Sequence, residues 1–395
     1  MNDSMKTMPR LVISTVGTSL LTNQIDDECD SGWKEELQKY ANLTHDRVKQ
    51  YDQVNKSDSK LADKIAKLKN RAEQELDTGN TLEIREASAE LNGIYGLYDE
   101  QLEKGKLDAH ILVTTDTAQG QEAAKILKDF LHGKVNSVEV YTPDKLSTES
   151  THNFNQGIDD LIEWLEGRVE NYRQQNYDIY FNLVGGFKAL QGCMNTIGMF
   201  YADKIIYVFE GENSNLITIP RLPITVDYSR LEDHVVTLAL LDAGAGLSPS
   251  ETKEVPEAMV AEIDGKMTLS NWGQLVWNQC KDNLLSQKLL DGFLRIHYDG
   301  SFMEDYKKIK NPKDKVKLQE TIAKASFLLE ESNGDTRALA KPVSYYAYKG
   351  TKDKEGVDHF YVGRQFRVSC KSSNGTLILR HYGTHKYVEG KEIKN

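Results

Sequence analysis

The sequence predicts an α/β chain: a mainly parallel, doubly wound sheet carrying a helical insertion, then a helical connector, then a small α+β domain. Three observations carry this. Between residues 106 and 226, short β-branched runs alternate with amphipathic helical stretches, the pattern of βαβ units. Residues 26–105 contain no proline and are rich in Lys, Glu, Gln, Leu and Ala, the composition of helices. From about residue 294 a strand, two lysine-rich helices and several hairpin-like strands follow one another.

The elements follow in order. LVIST at 11–15 is a strand that opens into a Gly/Ser/Thr loop, and residues 26–105 form a helical insertion into, or cover over, the domain it begins. HILVT at 110–114 is a strand followed by an amphipathic helix over about 120–132. VEVY at 138–141 leads to a helix over about 153–174, and YDIYFNL at 177–183 leads through a glycine-rich loop to a helix ending near Tyr201. IIYVF at 205–209 and LITIP at 216–220 read as two closing strands. Residues 227–293 read as a helical connector broken by the loop DAGAGLS at 242–248. In the last segment, LRIH at 294–297 is a strand, helices start near Phe302 and Pro312, and strands occupy 343–349, 357–362, 365–370 and 376–382. The domains expected are therefore 1–226, a connector at 227–293, and 294–395.

Composition bounds the function. The 395 residues include 49 Lys+Arg and 60 Asp+Glu, a net charge of −11. That total conceals a division: residues 295–395 hold 20 basic and 13 acidic residues, a balance of +7, which leaves 29 against 47, or −18, for the rest. The basic C-terminal quarter suits an anionic partner. No apolar run approaches the roughly 20 residues that span a bilayer, so no membrane association is expected. The N-terminus lacks the apolar core of a signal peptide. Four scattered cysteines (Cys29, Cys193, Cys280, Cys370) exclude a zinc ribbon and a disulfide framework and point to the cytoplasm. No metal and no cofactor are expected.

Ligands of open α/β sheets sit outside the C-terminal ends of the strands. Two segments fall there: VGTSLLTN at 16–23, and NLVGGFKA at 182–189. Glycine-rich turns before helices offer backbone N–H groups to an anion, and hydroxyls and a lysine add donors, so phosphate is the natural ligand. The Walker pattern is absent, because the second loop lacks the upstream glycine and the hydroxyl after lysine; the Gly-x-Gly-x-x-Gly fingerprint is absent as well.

Together with SAELNG at 88–93 and TTDTAQGQEAA at 114–124, these loops resemble a CARF domain, the Rossmann-like cyclic-oligoadenylate sensor of type III CRISPR systems, over residues 9–226. The resemblance implies a homodimer that binds a cyclic tetra- or hexa-adenylate across its two-fold axis. Thr18 and Ser19 would touch the ring from the first loop, and Gly185, Gly186 and Lys188 from the second. Some relatives cleave the ring with a hydroxyl residue and a lysine at these places, which here are Ser19 and Lys188, so ring-nuclease activity stays open.

The basic segment gathers Lys341, His359, Tyr361, Arg367, Arg380 and His385. Strand alternation sets Arg367, Ser369 and Lys371 on one face, and Arg380 and Tyr382 on a shared face. Arginines hold phosphates, aromatic rings stack on splayed bases, and histidine moves protons. With its helix pair and the ending LILRHYGTHK at 377–386, the segment resembles a RelE/ParE-superfamily toxin domain over about 294–393. That resemblance implies a metal-independent mRNA endonuclease acting on the ribosome, in which the ribose 2′-hydroxyl attacks the adjacent phosphate and leaves a 2′,3′-cyclic phosphate. His385 would be the general acid or base, and Arg367 and Arg380 would stabilise the growing negative charge. Lys341, His359 and Tyr361 would orient substrate or transfer protons.

The whole chain thus resembles a CARF–RelE fusion, with cyclic oligoadenylate (cyclic tetra-adenylate first) as allosteric ligand and the ribosome and mRNA as partners. Alternatives remain. Arg380 and His385 also satisfy the Arg-x4-His spacing of all-helical HEPN ribonucleases, although the SSNG turn at 372–375 before them is hairpin chemistry. The basic domain would otherwise bind RNA or the ribosome without cutting.

Overall fold

The computed structural model describes residues 8–55, 60–209, 215–351 and 356–393. The chain divides into two compact units, 1–224 and 225–395.

The first unit begins with β1 (Arg10–Thr15), then α1 (Ser19–Thr22), α2 (Trp33–Lys39), α3 (His45–Val54), α4 (Leu61–Thr78), α5 (Thr81–Ala87) and α6 (Ala89–Leu97). It continues with β2 (Ala109–Val113), α7 (Ala118–Leu131), β3 (Ser137–Tyr141), α8 (Thr151–Gln174), β4 (Asp178–Asn182), α9 (Lys188–Tyr201), β5 (Lys204–Val208) and β6 (Leu216–Pro220). The sheet order is β3-β2-β1-β4-β5-β6, with every pairing parallel except the edge strand β6. All five residues of β2 are buried, and so are five of the six in β1, as expected for central strands covered on both faces.

The insertion is helical, but α4 is its one long helix. Leu61, Ile65, Leu68, Ala72 and Leu76 form a buried stripe at three- and four-residue spacing. A capping box between Asn80 and Glu83 starts α5. These helices share a core with α7, through residues such as Leu91, Ile94, Ala123 and Leu127.

The order matters for function. Strand order reverses between β1 and β4, and such a switch point opens a crevice at the C-terminal strand ends. The loops after β1 and β4 border it.

The second unit runs α10 (Val235–Asp242), β7 (Val260–Ile263), β8 (Lys266–Leu269), α11 (Asn271–Gln287), β9 (Ile296–Tyr298), α12 (Gly300–Lys307), α13 (Pro312–Glu331), β10 (Tyr346–Ala347), β11 (Asp358–Val362), β12 (Phe366–Ser373), β13 (Thr376–Thr384) and α14 (His385–Glu392). Its five-stranded sheet has the order β10-β11-β12-β13-β9, antiparallel except where β13 meets β9. Residues of 227–293, including Leu238, Trp277 and Leu284, share one apolar core with Phe302, Ile322, Phe360 and Val368 of the following segment. The helical reading of 227–293 misses the β7–β8 hairpin, whose turn residues Asp264 and Gly265 have φ of 51° and 77°. Asp-Gly with two positive φ angles is the turn that matches strand twist.

Among the described residues no helix is long and apolar enough to cross a membrane.

Two candidate functional sites

The first site is made of backbone. Parallel pairing sets Ser14 opposite Asn182, so the loops leaving β1 and β4 run side by side. They touch so closely that a Cβ on Gly17 would lie 2.9 Å from the Gly186 nitrogen. Gly186 has φ of +100°, a region that side chains other than glycine's rarely enter. Thr15 Oγ1 donates to the Gly185 carbonyl. Gln191 Nε2 lies 3.0, 3.2 and 3.1 Å from the carbonyls of Leu183, Val184 and Gly185, and so holds the second loop from beneath.

Glu90 ties the two loops together. It is fully buried, and its carboxylate accepts from the Gly17 N–H at 2.7 Å, the Ser88 hydroxyl at 2.7 Å and the Ser19 hydroxyl at 3.3 Å. A Cβ on Gly185 would overlap that carboxylate. Asn182 Nδ2 donates to the Glu90 carbonyl at 3.0 Å and to Ser14 Oγ at 3.2 Å, which fixes α6 against β4. A buried carboxylate needs such donors, because an unpaired buried charge costs far more than the hydrogen bonds return.

Beside this knot lies a pocket of about 150 Å³, lined by Gly17, Thr18, Thr115, Thr117, Gly186 and Phe187 among others. Of the five expected ligand residues, Thr18 and Gly186 line it. Ser19 is taken up by structure: its hydroxyl donates to Glu90 and accepts from the Ala89 N–H at 3.3 Å. Gly185 is buried under Glu90. Lys188 is exposed at the first position of α9, and among the described residues it has no hydrogen-bond or ion-pair partner. A cation at a helix N-terminus opposes the macrodipole, so this lysine gains from an anion there.

The second site is made of side chains. Register pairs Tyr346 with His359, Tyr361 with Arg367, and His359 with Ser369. His359, Tyr361, Arg367 and Ser369 therefore share one face, while Phe360, Val362, Val368 and Cys370 enter the core on the other. The Tyr348 ring stacks on His359 at 3.9 Å and 16°, and the Arg367 guanidinium lies 3.1 Å from the Tyr361 ring centroid. Helix α14 packs on the same strands. Its Glu392 is buried and accepts from Ser369 Oγ at 2.9 Å and from Arg380 Nε and Nη2 at 3.0 and 3.1 Å. His385 opens α14, exposed, with Nε2 3.0 Å from Glu389 Oε1.

Burial, followed by the charges of Arg367 and His385, holds the His359 imidazole below its ordinary 6.5. Burial pushes the Tyr348 hydroxyl up to about 12. His359 Nδ1 and Arg367 Nε are buried on the same face, and among the described residues neither makes a hydrogen bond of ordinary geometry.

Four of the six expected residues (His359, Tyr361, Arg367 and His385) are thus near one another, and Arg380 joins them through Glu392. Lys341 lies exposed on the loop before β10, and among the described residues no hydrogen bond or ion pair links it to the others. The expectation that Arg380 and Tyr382 share a face is overturned. Ser369 pairs with His381 but Cys370 with Leu379, so Arg380 is the extra residue of a β-bulge. The bulge turns Tyr382 into the core beside Val368 while Arg380 meets Glu392. The HEPN arrangement is excluded as well, since Arg380 sits on a sheet strand and not in a helical bundle.

Sequence reasoning missed Glu90 and Glu392, the two buried carboxylates that organise these sites. Glu90 stands inside the SAELNG motif, so its signal was present; Glu392 lies in a tail of unremarkable composition. A third buried carboxylate, Asp305 on α12, accepts from Tyr387 Oη at 2.8 Å, Lys308 Nζ at 3.1 Å, His381 Nδ1 at 3.1 Å and the Tyr382 N–H at 3.3 Å. Burial works to raise its pKa, but these four donors outweigh it and hold the carboxyl below its ordinary value.

Residues 85–222 match the family model described as CRISPR-associated protein (Cas_APE2256). The matched span is about a third of the chain and lies within the first unit. It contains SAELNG, TTDTAQGQEAA and NLVGGFKA, and so includes Glu90, Gln191 and the second loop. This part of the chain is similar to CRISPR-associated proteins.

Proposed function

We propose that the chain is a type III CRISPR ancillary effector: a cyclic oligoadenylate, with cyclic tetra-adenylate the favoured ring, binds the N-terminal loops of a homodimer and switches on a RelE-like mRNA endonuclease in the C-terminal unit. The observation that carries the nuclease half is the sheet face that gathers His359, Tyr361 and Arg367, with His385 close enough for its charge to bear on the His359 imidazole. The sensor half is supported by the match of residues 85–222 and by the pocket of about 150 Å³, lined by Gly17, Thr18 and Gly186, at the switch point.

In the proposed reaction, His359, kept neutral by its lowered pKa, takes the proton of the ribose 2′-hydroxyl as that oxygen attacks the adjacent phosphorus. His385, paired with Glu389, returns a proton to the departing 5′-oxygen. The P–O5′ bond breaks, leaving a 2′,3′-cyclic phosphate and a 5′-hydroxyl. Arg367 stabilises the charge on the phosphorane, with Arg380, held by Glu392, behind it. Each ring would span two copies of the pocket, as two-fold symmetry of the ligand requires. Coupling then requires tighter binding of the ring to the active arrangement than to the resting one.

The test is a purified translation system with ribosomes and mRNA, with and without cyclic tetra-adenylate. The expected result is ring-dependent cutting that leaves 2′,3′-cyclic phosphate ends. Intact mRNA in the presence of the ring, with the chain retained on ribosomes, would instead make the C-terminal unit a binding module.

A further inference from the structure

The strand register that gathers the proposed reaction centre also sets Tyr346, Tyr348 and Tyr361 around it. Tyr346 pairs with His359 and Tyr361 with Arg367, so both tyrosines share the His359 face. Tyr345 turns the other way, into the core, with its hydroxyl on Asp358. Tyr348, two residues after Tyr346, returns to the His359 face.

Two of these rings are already in use. Tyr348 lies flat on His359 with centroids 3.9 Å apart, and Tyr361 carries the Arg367 guanidinium 3.1 Å from its centre. Tyr346 differs. Its centroid lies 6.3 Å from those of His359 and Tyr361, at interplanar angles of 45° and 76°, so neither ring lies flat on it. It is 53 % exposed, on the same side of the sheet as the proposed chemistry. A tyrosine ring in that state buries apolar area when a planar partner stacks on it.

The order across the sheet says which planar group arrives there. Strands β12, β11 and β10 lie side by side and carry, in turn, Arg367, His359 and Tyr346. Neighbouring strands are about 4.8 Å apart, a step that the phosphate, ribose and base of one nucleotide can follow. With a phosphate at Arg367 and the 2′-hydroxyl at His359, the base of that nucleotide comes over Tyr346. Exposed cations stand beyond both ends of the row, Lys349 just past β10 and Arg364 in the turn from β11 to β12, where neighbouring phosphates would pass.

We propose that Tyr346 is the stacking platform for the base of the nucleotide whose 2′-hydroxyl attacks, the one that keeps the cyclic phosphate. Every base has a π-face, so the platform fixes the ribose in place without selecting a sequence. The platform rests on the nuclease reading of this unit and adds to it the contact that holds the attacking nucleotide.

The test uses the full chain with ribosomes, mRNA and cyclic tetra-adenylate, the chain in excess over mRNA. Half-saturating concentration and limiting rate are read separately. Tyr346→Ala should raise the half-saturating concentration about tenfold. Tyr346→Phe should stay within twofold of the wild type, because stacking needs the ring and not the hydroxyl. A second arm keeps the wild-type chain as well and removes one base of the mRNA beside the mapped cut. Loss of the base on the 5′ side should weaken the wild type about tenfold and Tyr346→Ala less than twofold. Loss of the base on the 3′ side should cost both chains the same. The platform is overturned if Tyr346→Ala matches the wild type, if Tyr346→Phe is as weak as Tyr346→Ala, or if the 5′ base matters no more than twofold to the wild type. In each of those cases cutting by the wild type leaves the nuclease reading intact. A wild-type chain that cuts no mRNA overturns both.

Discussion

The two candidate sites are built from opposite materials. At the first, backbone does the work: two loops are pressed together until only glycine fits at their contacts, and a buried carboxylate from another helix sews them to each other. At the second, a regular strand pair carries long side chains on one face, and a short helix closes over them. The first arrangement leaves little room for change in any residue that makes it. The second tolerates loss of individual side chains without loss of the fold, because its core lies on the other side of the sheet.

That contrast can be broken experimentally, and the largest effect should come from acid. His110 in β2 is wholly buried, and burial pushes its pKa down to about 3 from 6.5. The unfolded chain takes up a proton near pH 6.5 and the folded one does not until about 3, so the stability of the first unit should fall steadily across that window. The loss should be on the order of a few kcal/mol. His359 in the second unit is lowered in the same direction, so its contribution also declines as the pH falls below 6.5. A melting series between pH 7.5 and 4 should show the first unit failing earlier, and a His110→Gln variant should lose most of that slope. A first unit insensitive to pH would remove the distinction.

Gly185→Ala comes next. Its methyl group would meet the Glu90 carboxylate, and such overpacking should cost about 3 kcal/mol. The melting temperature of the first unit and cyclic-nucleotide binding should fall together, while RNA binding by the second unit is kept. His385→Ala should behave in the reverse way. The residue is exposed, so melting should be unaltered while cleavage drops about a hundredfold or more. Lys188→Ala, the mildest, should weaken cyclic-nucleotide binding roughly tenfold without changing stability, since among the described residues the lysine has no partner to lose. Calorimetric titration with cyclic tetra-adenylate reads this directly, and an unchanged affinity would take Lys188 out of the site.

The fold was legible wherever the signal was local. The alternation of strands and helices between 106 and 226 shows the parallel sheet, because buried strands and amphipathic helices have different periods. The two loops were legible as neighbours at the C-terminal strand ends, and the sheet order does set them side by side at the switch point. The Asp264–Gly265 turn was equally local, but a helical reading of its neighbours masked it. What could not be read were partnerships across long separations. Nothing near Gly17 announces that its N–H is taken by Glu90, 73 residues on. The alternation that should have set Arg380 and Tyr382 together fails for a similar reason: a bulge is a decision of two strands, and neither strand records it alone.

The bulge has one more consequence. Strand β13 keeps two phases, one before Arg380 that sends Leu377 and Leu379 inward, and one after it that sends Tyr382 inward. The extra residue is the offset between them. Paired regularly with no bulge, the same nine residues would send His381 inward, turn Tyr382 outward and deliver α14, with His385 at its head, to the wrong side of the sheet, whereas deleting Arg380 would keep Tyr382 inward in one unbroken phase. The bulge, by absorbing that residue, therefore decides which surface receives the helix that carries the proposed chemistry.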